Sequence, residues 1–145
     1  MRTLLRFLFP TTKSESKYSL LLLGLRLIFG GLMLTHGCDK LVSFDFMKYT
    51  YPDPIGLGSE CSLILTIFAE VFCACAILFG LLTRLATIPL IFTMIIAIFV
   101  IHAGQIFAMR ELAVLYLLGY SLLLIAGPGK YSIDQWLGER LTRKA

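Results

Sequence analysis

Four long apolar runs alternate with short polar stretches, and that rhythm predicts the architecture. The runs extend approximately from Tyr18 to Cys38, Cys61 to Leu82, Leu85 to Ile106 and Glu111 to Ala126. Each approaches the roughly 20 residues that an α-helix needs to cross a hydrocarbon core about 30 Å thick. Between the first two runs, Pro52, Pro54, Gly56 and Gly58 predict a turn-rich loop over 39–60, and Tyr49 and Tyr51 suit a membrane interface. Thr83 and Arg84 predict a tight turn that makes the second and third helices antiparallel neighbours. Pro89 is expected in the first turns of the third helix, where a missing N–H matters little. Gly127, Pro128 and Gly129 stop the fourth run.

Two flanking segments are amphipathic rather than spanning. The residues through about Ser16, with the stretch LLRFLF, suit an interfacial arm. In the tail 130–145, Ser132 is placed to cap a short helix whose Ile133, Trp136, Leu137 and Leu141 recur at helical spacing. Arg2, Arg6, Lys13 and Lys17 before the first run resemble a signal peptide, but the run is long and begins late, so a retained helix is expected.

A hydrophobic fraction of 58% and a mean hydropathy of +0.85 over 145 residues exclude an ordinary soluble domain. The fold class expected is an all-α, integral membrane four-helix bundle, antiparallel, forming one domain over residues 1–145. The net charge of +4 sits in the flanks of the runs, not in a patch with interleaved aromatics, so no nucleic-acid partner is expected. Arg2, Arg6, Lys13, Lys17, Arg84, Lys130, Arg140, Arg143 and Lys144 fall on the side of the termini, against Lys40, Lys48 and Arg110 on the other. By the positive-inside rule both termini are cytoplasmic and the 39–60 loop is external, in a multi-pass inner-membrane protein.

Arg26 and Glu70 interrupt these runs, and a charge inside the bilayer costs roughly 2.5–3.5 kcal/mol or more. Both must face the bundle interior. At 100° per residue, Arg26, Gly30, Met33, Gly37 and Lys40 share one face of the first helix, with His36 at its edge. The second helix gathers Ser59, Ser62, Thr66, Glu70, Cys73 and Ile77 on one face. Counted from the termini side, Arg26 lies about eight residues deep and Glu70 about twelve, a gap near 6 Å at about 1.5 Å per residue. An Arg26–Glu70 ion pair is therefore expected. A purely structural pair and a functional one explain these charges equally well.

His36 and His102 fall near the outer helix ends, with Asp39, Lys40, Arg110 and Glu111 at the same level, and together they predict one outward-facing polar pocket able to pass protons. Two histidines with scattered carboxylates lack metal-ligand spacing, so no metal site is expected. Cys38 and Cys61 suit either a disulfide closing the loop or an exchanging thiol pair; Cys73 and Cys75 read as small packing residues. No nucleophile elbow, phosphate loop, dinucleotide fingerprint or haem-attachment motif is present.

These pieces, in this order, resemble the DoxX family of small four-span membrane proteins. Gly30, His36, Gly37 and Lys40 are similar to the family's glycine, HG and lysine. Glu70 followed by Gly80, Leu81, Thr83, Arg84 and Ala86 is similar to its glutamate and G-L-x-x-R-x-A ending. His102 and the close formed by Gly127, Pro128, Gly129, Tyr131, Ser132 and Asp134 resemble later family positions. Phe72, Cys73, Ala74 and Cys75 depart from the family's glycines after the glutamate.

The resemblance implies redox work. The expectation is electron transfer between a thiol or sulfur substrate, or a soluble partner, and membrane quinone, as one subunit of a quinone-linked oxidoreductase. Glu70, His36, His102 and Arg26 would be the catalytic set; Arg26, Lys40 and Glu111 would hold the cofactor, with quinone the group implied. Expected partners are the lipid bilayer, a membrane or soluble redox protein, and further copies of the chain. The alternatives are a non-catalytic assembly factor or anchor binding partner transmembrane helices and, third, a small-solute transporter.

Overall fold

The computed structural model describes residues 16–143; the interfacial arm expected before Ser16 lies outside them. The described chain is helical, without strands. In chain order the helices are α1 (Ser16–Val42), the one-turn α2 (Phe44–Met47), α3 (Ser59–Phe79), α4 (Thr83–Ile101), α5 (Phe107–Ala126) and α6 (Ile133–Arg143). Four of these, α1, α3, α4 and α5, are long and apolar enough to cross a membrane. Their outward faces are apolar, with Leu27, Ile28, Phe72, Phe92, Leu118 and Ile125 all at least half exposed. That inversion of the soluble pattern belongs to a protein whose solvent is lipid.

The faces read from the sequence are the ones buried. On α1 the buried positions are Ser19, Leu22, Arg26, Gly30, Met33 and Gly37. At 27 residues α1 is about 40 Å long, more than a hydrocarbon core, so it projects beyond the other spans. It also continues past its expected end at Cys38, bringing Lys40 into the last helical turn.

The α3–α4 connection differs from expectation. It is formed by Gly80, Leu81 and Leu82, and Thr83 and Arg84 already belong to α4. Gly80 is left-handed at φ +68°, its N–H donates to Ile77 O, and the Leu81 N–H donates to Ala76 O. This is the paired bond pattern that closes helix C-termini. Leu82 is left-handed too, at φ +46°, a strained conformation for a residue with a side chain. The Asp134 carboxylate holds it there, accepting the N–H groups of Leu82 at 2.6 Å and Thr83 at 2.8 Å. Asp134 therefore caps α4 from a distant part of the chain. Ser132 Oγ accepts the Gln135 N–H at 3.1 Å and so caps α6, as its position suggested.

Pro89 is deeper in α4 than expected, because the helix starts at Thr83, and it removes an internal bond to the Leu85 carbonyl. Two wide π turns also interrupt the spans: Phe68–Cys73 within α3, which contains Glu70, and Ala97–Ile101 at the end of α4, which precedes His102. Such turns concentrate at functional sites, since the extra residue per turn redirects a side chain.

Candidate functional site in the α3–α4 cavity

Glycines set the register between α1 and α3. A Cβ added at Gly37 would lie 2.7 Å from the backbone carbon of Glu70, and one at Gly30 would lie 3.2 Å from Ala74 O. A Cβ at Gly80 would meet the Arg26 guanidinium at 2.6 Å. Descending α1 from Gly37 to Gly30 to Arg26 thus runs alongside Glu70, Ala74 and Gly80 on α3. Arg26 sits at the level of Gly80, ten residues and about 15 Å from Glu70.

The expected Arg26–Glu70 pair is therefore absent. Arg26, 1% exposed, spends its donors on backbone: Nε to Ile77 O at 2.9 Å, one terminal nitrogen to Pro128 O and Tyr131 O at 3.0 and 2.7 Å, the other to Leu78 O at 2.8 Å. Ile77 and Leu78 lie in the last turn of α3, where carbonyls lack the usual i+4 donor; Ile77 O also accepts the Gly80 N–H. Pro128 and Tyr131 belong to the turn leading to α6. Asp134 provides a through-space countercharge. Arg26 ties three segments together and leaves the predicted catalytic set.

Glu70 pairs instead with Lys40. Lys40 Nζ donates to Glu70 Oε2 at 2.6 Å, and the two side chains are 21% and 6% exposed. The other oxygen, Oε1, accepts no hydrogen bond among the described residues. This pair lines a cavity of about 610 Å³ between α3 and α4. The cavity's roof includes Tyr51, Pro54 and Ile55 of the loop, its outer end His102, and its walls Phe68, Ile88, Phe92 and Ile101. Ser62, Thr66 and Thr93 add hydroxyl groups, but most of the lining is apolar. Both π turns and Pro89 border this space, where irregular backbone keeps α3 and α4 from closing on one another.

Only some of the predicted site residues come together. Lys40, Glu70 and His102 share the cavity. His36 is exposed and packs edge-on against Tyr116, with ring centroids 6.1 Å apart. Glu111 is exposed in the first turns of α5. The single outward pocket expected from His36, His102, Asp39, Lys40, Arg110 and Glu111 does not form. His102 Nδ1 lies 2.8 Å from Gln105 Oε1. All four cysteines are free, Cys38 and Cys61 exposed and Cys73 buried, and none lines the cavity. Among the described residues no group of His, Cys, Asp and Glu is placed to hold a metal ion. Sequence reasoning overlooked the roof of the cavity and the capping role of Asp134; the polar stripe of Ser62, Thr66 and Glu70 was visible.

The model of the DoxX family matches residues 21–103 of the sequence. This chain belongs to the DoxX family. The DoxX match covers the first three spans and contains Arg26, Lys40, Glu70 and His102; it stops before the Gly127–Pro128–Gly129 turn and Asp134. The chain is also 32% identical to the uncharacterized membrane protein Rv3486 of Mycobacterium tuberculosis, over 81% of this chain and 82% of the relative. No solved structure matches it. Family, relative and four apolar helices together make this a multi-pass membrane protein.

Proposed function

We propose that this DoxX protein is an inner-membrane subunit that binds a quinone-class lipid in the α3–α4 cavity and handles its protons, while a thiol- or sulfur-oxidising partner handles the electrons. One observation carries the reading: a 95% buried carboxylate with a lysine partner and one unsatisfied oxygen borders an apolar cavity facing lipid. A volume of about 610 Å³ falls in the range of roughly 300–1,000 Å³ typical of small-molecule sites, which are mostly apolar with a few convergent polar groups. Phe68, Ile88 and Phe92 line the cavity and are each at least half exposed on the lipid-facing surface, so an apolar ligand enters from the bilayer.

A quinone-class head fits the donor set. Lys40 donates to a carbonyl oxygen, and Glu70 Oε1 accepts from a hydroxyl, so the pair recognises both redox forms. Glu70, paired with the Lys40 ammonium, is the group that takes a proton from cavity water and passes it to the ligand oxygen being reduced. His102 at the outer end is the second protonatable group. The cysteines lie away from the cavity, so reducing equivalents come from a partner chain. With the Arg26 side of the bundle cytoplasmic, as the basic residues predict, the cavity opens toward the external half of the membrane.

The test is purification of the full chain in mild detergent, with mass spectrometry of extracted lipids and co-purifying proteins, beside the Glu70→Gln variant. Stoichiometric quinone with a redox protein, the quinone lost in the variant, is the expected result. A quinone-free protein that retains a membrane-protein client in both forms would overturn the reading in favour of an assembly or anchoring role.

A further inference from the structure

Glu70 is reached from the loop side of the membrane by a row of oxygen atoms that lines the cavity. On α3, Ser62, Thr66 and Glu70 follow one another at four-residue spacing, share a face, and all line the cavity. The row is about 12 Å long. Its outer end is anchored in the loop: Ser62 Oγ donates to Asp53 Oδ1 at 2.9 Å, and Asp53 also accepts the Leu57 and Gly58 N–H groups at 3.0 and 2.8 Å. Asp53 is therefore an exposed carboxylate, adjacent in sequence to the cavity-lining Pro54 and joined by a hydrogen bond to the first hydroxyl of the row. Thr66 donates to Ser62 O, which leaves its lone pairs available to accept. The cavity is roomy enough for water beside these hydroxyls, and the groups present supply the polar partners that such water needs.

In the other direction the side chains are packed: Ala74, Ile77, Leu90 and Leu123 are fully buried, the buried Thr87 and Tyr120 hydroxyls donate to backbone carbonyls of Arg84 and Phe29 and line no part of the cavity, and beyond them lies the Arg26 guanidinium with its donors occupied. A fixed buried cation repels an approaching proton.

We infer that Glu70 exchanges its proton with water on the loop side only, through cavity water held by Thr66 and Ser62, with Asp53 as the group that passes the proton to and from bulk. The step is a proton transfer: an O–H of protonated water beside Thr66 breaks, Glu70 Oε1 takes the proton, and the carboxyl then gives it to the ligand oxygen being reduced, which leaves the carboxylate paired with Lys40. Titratable groups around Glu70 on the packed elements are Lys40 on α1, Tyr116 and Tyr120 on α5, His102 after α4 and Cys73 on α3. This inference deepens the proposed function and rests on Glu70 as the proton-carrying group; it fixes the membrane side from which that proton comes.

The experiment uses the full chain in proteoliposomes, with orientation assigned by an impermeant thiol reagent on exposed Cys61. Rapid infrared spectroscopy follows the protonated-carboxyl band that Glu70→Gln removes, after a pH jump on one side. The band is expected to follow loop-side pH, and Asp53→Asn and Thr66→Val are each expected to slow it by about tenfold or more, as loss of a positioned proton-transfer group does. Thr66→Val keeps volume and leaves the loop untouched, so it tests the row even where Asp53→Asn loosens the roof. Response to termini-side pH, wild-type rates in both variants, or a Glu70 band that never appears would overturn the inference. Quinone measured on the same samples separates the two claims. Loop-side exchange in a protein that binds no quinone supports the inference while refuting the ligand reading; retained quinone with termini-side exchange overturns the inference alone.

Discussion

Replacing Arg26 by Met should unlatch the termini-side closure of the bundle before it affects the cavity. Four hydrogen bonds of 2.7–3.0 Å disappear, and four backbone carbonyls are left without their donor. At roughly 1.5–3 kcal/mol for each bond to a charged group, the soluble-protein scale gives about 6–12 kcal/mol. Polar contacts between membrane helices average nearer 0.6 kcal/mol, which gives about 2.4 kcal/mol for four. Methionine also relieves the several-kcal/mol desolvation of a buried ion, so the upper figure overstates the loss. The expected destabilisation is about 2–5 kcal/mol.

Arg26→Lys should fall in between, because an ammonium keeps the charge but cannot fork across four carbonyls from two segments. The assay is reversible unfolding in mixed micelles, followed by the fluorescence of Trp136. It is the chain's one tryptophan, lies in α6 and is stacked 3.8 Å from the Arg140 guanidinium. Because Arg26 holds Pro128 O and Tyr131 O, the Trp136 signal should change at lower denaturant in the variant than helix content does. A Met variant within about 0.5 kcal/mol of wild type, with unchanged Trp136 emission, would refute the clamp. Loss of quinone from a fully folded Arg26→Lys protein would refute its exclusion from the site.

The remaining predictions concern the ion pair and the loop. Lys40→Met should destabilise by roughly 3–5 kcal/mol at neutral pH, because it strands a buried carboxylate, and adding Glu70→Gln should restore most of that loss in a double-mutant cycle. Gly37→Ala should cost about 1–3 kcal/mol and loosen the Lys40–Glu70 contact, since its Cβ would lie 2.7 Å from Glu70 backbone and the Val71 side chain. Gly31→Ala, with open space around it, should stay within about 0.5 kcal/mol by the same unfolding assay. The Gly58 N–H, with Ser62 and Leu57, holds the Asp53 carboxyl below its ordinary range. A lowered folded-state value means the loop latch is fully present above the unfolded value near pH 4 and is lost as pH falls through the lower folded value. Amide exchange at Leu57 and Gly58 should therefore accelerate on acidification, relative to a neighbouring helix, and lose that pH dependence in Asp53→Asn.

The mistaken partner for Glu70 shows which part of this structure is written in a single sequence and which part is not. A helical wheel needs only the 100° step, and it placed Arg26, Gly30, Met33, Gly37 and Lys40 on one face; the first four are among the six buried positions of α1. The face thus already contained the true partner. Choosing between Arg26 and Lys40 required the axial register of α1 against α3, which depth counting took from the helix ends. That fails for α1, because its first turns extend below the spans to pack on the closing turn: Ser19 Oγ accepts the Lys130 N–H, and Leu22 lies against Gly129. What fixes the register is the contact of Gly37 and Gly30 with α3 backbone, and a glycine in a sequence does not announce which residue it meets. The π turns are equally silent, since no residue in Phe68–Cys73 or Ala97–Ile101 is a helix breaker. They nonetheless redirect Glu70 and help to hold open the space beside it. Glu70 was legible from its cost in lipid; its pairing with Lys40 was not, because that depends on how two helices slide past each other, and neither helix encodes that distance alone.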